Sequence, residues 1–323
     1  MVKTIQWIRK DKISMKLTVE CFDKVKKDCL KFIKSQETKA DKFKNKEKMI
    51  KLFLIPLCFW ISKKADKKKP YFVGLAGGQG TGKTTISSLV KIILIKYFKL
   101  KVFRISIDDF YKTRKERINL SKKVHPMLLT RGVPGTHDIN MMLSFFRKVK
   151  SRKFTRLKLP TFNKAIDDRF NKNRWYDLKQ KPDVIIFEGW CVGAKSEKNN
   201  TLRKTINSVE KAKDQKQIWR KYVNQQLKLK YKNLYSQLNC LIYLKAKNFS
   251  LLQKWRLKQE RKLWLSSKRK SNLKIMSKGD IINFMQTYQR ITQNMFRYMP
   301  KYASIILNLN TNHQIKSAVY KKK

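Results

Sequence analysis

The chain is poor in acidic residues. Its 323 residues hold 22 Asp and Glu against 78 Lys and Arg, a formal net charge of +56. Nucleic acid, anionic lipid and small phosphorylated ligands all suit such a surface, and charge alone does not choose among them. Cysteine is also scarce and unpaired in pattern. Cys21, Cys29, Cys58, Cys191 and Cys240 are odd in number, scattered and free of any C-x-x-C spacing, which argues against a disulfide framework and a zinc site and fits a reducing cytoplasm. No long hydrophobic run is present: the stretch from Leu52 to Ile61 is about half the ~20 residues of a membrane span and contains Pro56. Residues 1–16 mix Lys, Arg and Asp11 with no apolar segment, so no secretory signal and no membrane partner are expected.

What is present is enough for a folded core. Hydrophobic residues make up 41% of the chain and aromatics 11%, which excludes wholesale disorder. The length suits two domains or one large α/β domain with an appendage. Residues 1–69 are Lys-rich, with Val19, Phe22, Val25, Cys29, Phe32 and Ile33 at helical spacing, and are expected to form an N-terminal helical extension. Residues 70–323 are expected to form the main domain. Within it, short apolar runs at 71–76, 101–107, 184–187, 240–244 and 303–307 alternate with helical patterns. That alternation predicts an α/β fold with a five-stranded, mostly parallel sheet and helices on both faces. Residues 195–217 are polar and aperiodic and read as a surface insertion, and about 250–290 as a helical region.

Glycine is scarce too, and its placement is informative. Of ten glycines, five fall between Gly74 and Gly82, and four more sit in two short motifs around Gly132 and Gly189. The run Gly77-Gly78-Gln79-Gly80-Thr81-Gly82-Lys83-Thr84, followed by Thr85, matches G-x-x-x-x-G-K-[ST] between a predicted strand and a predicted helix, the context a P-loop requires. In such a loop successive backbone N–H groups wrap a β-phosphate, Lys83 reaches the β/γ oxygens and the Thr84 hydroxyl holds Mg²⁺. A nucleotide and Mg²⁺ are therefore expected, and the family resemblance described below implies that the nucleotide is ATP. A P-loop by itself leaves motors, GTPases and transport ATPases open.

Two further strand ends carry carboxylates. Ser106-Ile107-Asp108-Asp109-Phe110-Tyr111 puts an acidic pair at the end of a strand expected to lie beside the P-loop strand, where Asp108 could accept a hydroxyl proton; the same pair could instead cap the next helix. Val184 to Phe187 ends in Glu188-Gly189-Trp190, with Glu188 set to bind Mg²⁺ directly or through water. Between these strands lie the clusters Arg131-Gly132-Val133-Pro134-Gly135-Thr136-His137-Asp138 and Pro160-Thr161-Phe162-Asn163-Lys164-Ala165-Ile166-Asp167-Asp168-Arg169.

This succession of motifs resembles the glycerate kinases of plants and cyanobacteria and their fungal and bacterial relatives, which belong with phosphoribulokinase, uridine kinase and pantothenate kinase. The resemblance covers about residues 50–310. It includes Ile55-Pro56-Leu57 with Trp60, Val223-Asn224 with Leu227, Trp255 to Glu260, Met276-Ser277, and Phe284 with Tyr288. It implies a P-loop NTPase fold with a helical lid at about 250–290. It also implies that Asp108 is the general base, that Glu188 lies near the metal, and that Arg256 on the lid closes over the γ-phosphate, making Lys83, Asp108 and Arg256 the catalytic set. For a small hydroxy acid, Arg131, Lys164 and Arg169 can supply cations while His137, Tyr111 and Asp109 orient hydroxyls. His137, a lone His between Thr and Asp, can equally be a loop-fixing hydrogen bonder. Val133 and Asn163 stand where the family often has Asn and Asp, which bears on the acceptor.

The implied activity is ATP-dependent phosphorylation of a small hydroxylated metabolite, D-glycerate to 3-phosphoglycerate foremost. A nucleoside-type or pantothenate-type acceptor stays open. So does a nucleotide-regulated nucleic-acid-binding protein, motivated by Trp264 among Arg261, Lys262, Lys268, Arg269 and Lys270. Against that third reading, the basic residues are spread along the chain: residues 1–69 hold 21 Lys and Arg against 8 Asp and Glu. Specific nucleic-acid binding is thus disfavoured, and oligomeric state is undefined.

Overall fold

The computed structural model describes residues 15–38, 42–66, 68–267 and 277–321, with 262–267 described by backbone alone. The main sheet is built from β1 (Tyr71–Gly77), β2 (Val102–Ser106), β3 (Val184–Gly189), β4 (Cys240–Lys245), β5 (Ile305–Leu309) and β6 (Ile315–Tyr320). Among the described residues their order is β6-β5-β4-β1-β3-β2, every neighbouring pair parallel except β5 with β6. The fold class matches the sequence expectation, with one strand more. Residues 315–320 showed no strand signal because the six-residue run is broken by Lys316 and Ser317. In the sheet Ile315 and Ala318 are buried and Lys316 is exposed, with the register against β5 shifting between Ile315 and Ser317, an irregularity common at sheet edges.

The strand beside the P-loop strand also differs from expectation. β3, not β2, lies next to β1, and β2 sits one place further out. The chain crosses over from β1 through a helix to β2 and returns to fill the gap, a topology that local sequence signals do not encode.

Helices cover both faces. On one side are α1 (Met15–Gln36), α2 (Ile55–Lys64) and α3 (Lys83–Lys96); on the other are α4 (Arg114–Lys123), α5 (Ile139–Lys150) and α6 (Ile218–Gln226). α7 (Phe249–Ser267) and α8 (Lys278–Tyr302) correspond to the region expected to be the lid. β1 shows why two layers are needed. Val73 and Leu75 enter the core under α1 to α3, while Phe72 and Ala76 enter the opposite one. The expected N-terminal extension shares the first of these cores: Cys21, Phe22, Val25, Cys29 and Ile33 of α1 pack in the same apolar cluster as Leu89, Val90 and Ile93 of α3. A π-turn at Ile50–Leu54 runs directly into α2, where Pro56 has no N–H to continue the helical ladder. All five cysteines are buried free thiols, and no described helix is long and apolar enough to cross a membrane.

The segment 195–217, expected as a surface insertion, is pinned by buried ion pairs. Glu210 is 1% exposed and accepts two hydrogen bonds from Arg290 of α8, at 2.8 and 2.6 Å. Asp214 is also buried and pairs with Arg220 at 2.9 Å. Removing one partner of a buried pair strands the other charge, which costs about 3–5 kcal/mol. Glu210→Ala leaves Arg290 its longer contact with Glu197 at 3.6 Å and the carbonyls of Thr201 and Lys204, so it is expected to lower unfolding free energy by about 1.5–3 kcal/mol in urea titrations, less than a stranded charge would cost; a loss below about 1 kcal/mol would show that those partners replace Glu210.

Candidate active site

Parallel strands bring their C-terminal ends to one edge, and the motif residues gather there. In register, Leu75 of β1 lies beside Glu188 of β3, and Glu188 beside Ser106 of β2. The P-loop leaves β1 at Gly77, and Asp108 follows β2 in a short 3₁₀ turn, Ile107–Phe110. Glu188 thus stands between the phosphate loop and the acidic pair.

The P-loop is closed upon itself. Lys83 Nζ donates to Gly78 O at 3.0 Å, and Thr81 Oγ1 donates to the same carbonyl at 2.7 Å. Burial pulls the Lys83 ammonium below its ordinary range, opposed by the nearby carboxylates of Glu188 and Asp108. Gly80 (φ +77°) is needed by the packing of α7 as well as by the turn: a Cβ there would lie 3.0 Å from Trp255 Cβ of α7. Trp255 in turn stacks on His313 of the β5–β6 turn, with ring centroids 4.4 Å apart. Arg256, the next residue, bonds Glu260 one turn further along the helix.

Around Glu188 converge Thr84 Oγ1 at 3.3 Å, Ser87 Oγ at 3.2 Å and Arg104 Nη1 at 2.7 Å. Thr84 and Glu188 offer a hydroxyl and a carboxylate, hard oxygen donors that suit Mg²⁺. That ion takes one or two protein ligands and completes its octahedron with phosphate oxygens and water. No group of three or more His, Cys, Asp or Glu forms a metal cage among the described residues.

On the acceptor side, Asp108 is the centre. Lys164 Nζ lies 2.9 Å from Oδ2, and the Tyr111 hydroxyl donates to Oδ1 at 3.1 Å. Burial pushes the Asp108 carboxyl up, but Lys164, and then the Tyr111 hydroxyl, outweigh it and hold the group below its ordinary value. Asp109 differs. Its carboxylate turns back onto the Ser106 N–H in a capping box and also takes the Phe162 N–H, and burial raises its pKa to about 6. The acidic pair therefore divides into one charge facing Lys164 and one scaffold group.

The remaining predicted cations are engaged. Arg131 pairs with Asp167, while Arg169 bonds the Tyr111 carbonyl at 2.8 Å and Asp138 at 3.2 Å. His137 stacks on Tyr111 with centroids 4.4 Å apart. Its Nδ1 lies 2.7 Å from the Tyr231 hydroxyl, which already accepts the Gly135 N–H at 3.0 Å. The Tyr231 hydroxyl can give its proton to Nδ1, and the imidazole hydrogen then sits on Nε2. That Nε2 is buried and has no partner. Burial lowers the His137 pKa to about 4, so the ring is a neutral donor at physiological pH.

With this geometry in hand, the chain can be set beside known proteins. No family model matches it. The uncharacterized kinase mug58 of Schizosaccharomyces pombe is 27% identical over 228 residues, 68% of this chain and 79% of its own. The chloroplastic D-glycerate 3-kinase of Arabidopsis thaliana is 26% identical over 226 residues, 64% of this chain but only 47% of the plant protein. The solved D-glycerate 3-kinase of Cryptococcus neoformans superposes with a TM-score of 0.68 at 22% identity, over 83% of this chain and 97% of that one. The fold is that of a P-loop kinase. Its relatives in sequence are named kinases of the group the motifs resemble.

Several residues that build this kinase-fold site carried no sequence signal. Arg117, fully buried, bonds the carbonyls of Lys112, Leu129 and Asp167 and the Asp167 carboxylate, joining three segments of the acceptor side. Arg104 looked like one more Arg in a basic chain. Its place in the otherwise apolar β2 run was the available clue. The basic stretch with Trp264, Lys262, Lys268, Arg269 and Lys270, and the motif residue Met276, lie outside the described side chains.

His137 provides a test of the electrostatics. A depressed histidine pKa means the unfolded chain binds more protons between about 4 and 6.5, so this group's stabilisation is complete above pH 6.5 and fades as pH falls toward 4. Nitrogen-15 NMR is expected to find His137 neutral and Nε2-protonated from pH 8 to 5. A titration midpoint near 6.5 would contradict its burial and its Tyr231 contact.

Proposed function

We propose that the protein is an ATP-dependent kinase for a small hydroxylated metabolite, converting D-glycerate and ATP to 3-phosphoglycerate and ADP. The observation that carries this reading is the Asp108–Lys164 pair beside Lys83 of the P-loop. It combines a carboxylate kept ionised, a cation for a substrate carboxylate, and a phosphate-binding ammonium. A three-carbon hydroxy acid can use all three.

The P-loop N–H groups and Lys83 hold the β- and γ-phosphates, and Thr84 with Glu188 would hold Mg²⁺, which would supply positive charge against the phosphates. Asp108 accepts the acceptor hydroxyl's proton as the new O–P bond forms and the bond from the γ-phosphorus to the ADP oxygen breaks. Lys164, 62% exposed in its side chain and with three N–H donors, can bond the incoming carboxylate while keeping its contact with Asp108. His137 Nε2–H supplies a neutral donor for a substrate oxygen, which explains an otherwise costly orphan. Arg256 would leave Glu260 for the transferring phosphoryl, a contact realised mainly in the transition state. Arg131 and Arg169 act through the loops they brace.

A coupled assay of ADP release across D-glycerate, L-glycerate, pantothenate and uridine tests this. D-glycerate is expected to give the highest kcat/KM, with phosphate on the 3-hydroxyl by phosphorus NMR. Turnover only with pantothenate or uridine would overturn the acceptor assignment while leaving the kinase reading in place. Failure of the protein to bind ATP would remove both.

A further inference from the structure

Arg104 is the one charged residue on β2, a strand otherwise made of Val, Phe, Ile and Ser. Side chains two apart on a strand share a face, so Arg104 lies on the side of Val102, which enters the core under α1 to α3. There its guanidinium meets Glu188. Nη1 donates to Glu188 Oε1 at 2.7 Å, with the Arg104 side chain 28% exposed and the Glu188 side chain 4% exposed. A charge-assisted bond of this length, sheltered from water, is among the stronger contacts a carboxylate makes.

Both oxygens of that carboxylate are engaged. Oε1 also takes the Thr84 hydroxyl at 3.3 Å, and Oε2 takes the Ser87 hydroxyl at 3.2 Å. Ser87 is 1% exposed, and its hydroxyl also lies 3.1 Å from the Thr84 carbonyl in the first turn of α3. Glu188 is therefore held from α3 on one side and from β2 on the other. Thr84 is the second residue that would hold Mg²⁺, and it meets the same carboxylate oxygen as Arg104. A divalent ion bonded directly to Glu188 would share that group with a fixed positive charge, which opposes it. Mg²⁺ gives up its water shell reluctantly, and a bound water can bridge to a carboxylate that already has other partners.

We propose that Arg104 is a positioning residue that sets the metal affinity of this site: it pins Glu188 and keeps that carboxylate from bonding Mg²⁺ directly. Thr84 and the nucleotide phosphates would then supply the direct ligands, with Glu188 acting through a metal-bound water. The proposal rests on the nucleotide- and metal-binding part of the function given above and on no particular acceptor. It differs in sign from a purely structural ion pair. A bridge that only braced the strand ends would, when cut, loosen the site and weaken metal binding. A bridge that restrains the carboxylate would, when cut, strengthen it.

The test uses the full chain saturated with a non-hydrolysable ATP analogue at pH 8, with Mn²⁺ as the probe in place of Mg²⁺ and electron paramagnetic resonance to count free metal. Arg104→Gln is expected to bind Mn²⁺ at least about fivefold more tightly than the unaltered protein, while Arg104→Lys, which keeps the charge, stays within about twofold of it. In oxygen-17 water, pulsed resonance is expected to count the same number of metal-bound waters in the unaltered protein and in Glu188→Gln. Unchanged or weaker metal binding in Arg104→Gln overturns the proposal, as does equal tightening in Arg104→Lys. One extra metal-bound water in Glu188→Gln also overturns it, because Glu188 would then be a direct ligand. The water count needs no Arg104 variant, so it decides the matter even where Arg104→Gln fails to fold. Mn²⁺ bound no more tightly than by free nucleotide removes both the proposal and the metal part of the proposed function, whereas failure of D-glycerate as acceptor leaves the proposal intact.

Discussion

The Lys164 ammonium lies 2.9 Å from Asp108 Oδ2, and that contact decides what the carboxylate can do. Burial beside a phosphate-binding loop would otherwise favour the protonated acid, which accepts no proton. With the Lys164 ammonium and the Tyr111 hydroxyl against it the balance tips the other way. The rest of the acceptor side holds these partners in place. Tyr111 is stacked on His137 and tied through its carbonyl to Arg169; the loop carrying Lys164 is anchored at Asp167 by Arg131 and the buried Arg117.

This arrangement depends on parallel strands ending together. Hydrophobic β1 and β3 are buried on both faces, which fixes their register and delivers the P-loop and Glu188 to one edge. Arg104 then neutralises Glu188 from β2. The basic excess of the chain contributes little to this. The cations that matter are few and each faces an acidic partner: Arg104 with Glu188, Arg131 and Arg117 with Asp167, Arg169 with Asp138, Lys164 with Asp108. In a chain with only 22 acidic residues, their concentration here is more telling than the +56.

What the sequence made legible was contiguous chemistry. The P-loop, the Asp108 and Glu188 strand ends and the two acceptor clusters are each readable because a single backbone segment carries the pattern, and the α/β class followed from strand–helix alternation. What stayed hidden was set by distant contacts. Arg117 became important only when three remote carbonyls converged on it, and the order that places β3 between β1 and β2 arises from crossover connections. Asp109 and Asp108 are indistinguishable as neighbours in sequence. A 3₁₀ turn points one back to Ser106 and the other toward Lys164. Tyr231 meets the His137 ring from 94 residues away.

The central claim is that Asp108, kept ionised by its neighbours, takes the acceptor proton and is not needed to hold nucleotide. Comparing Asp108→Asn with the unaltered protein, by calorimetric binding of a non-hydrolysable ATP analogue alongside single-turnover phosphoryl transfer, separates those roles. The account predicts nucleotide affinity within about threefold and transfer slowed by about 10²-fold or more. Transfer at an undiminished rate, or loss of nucleotide binding in step with activity, would contradict it.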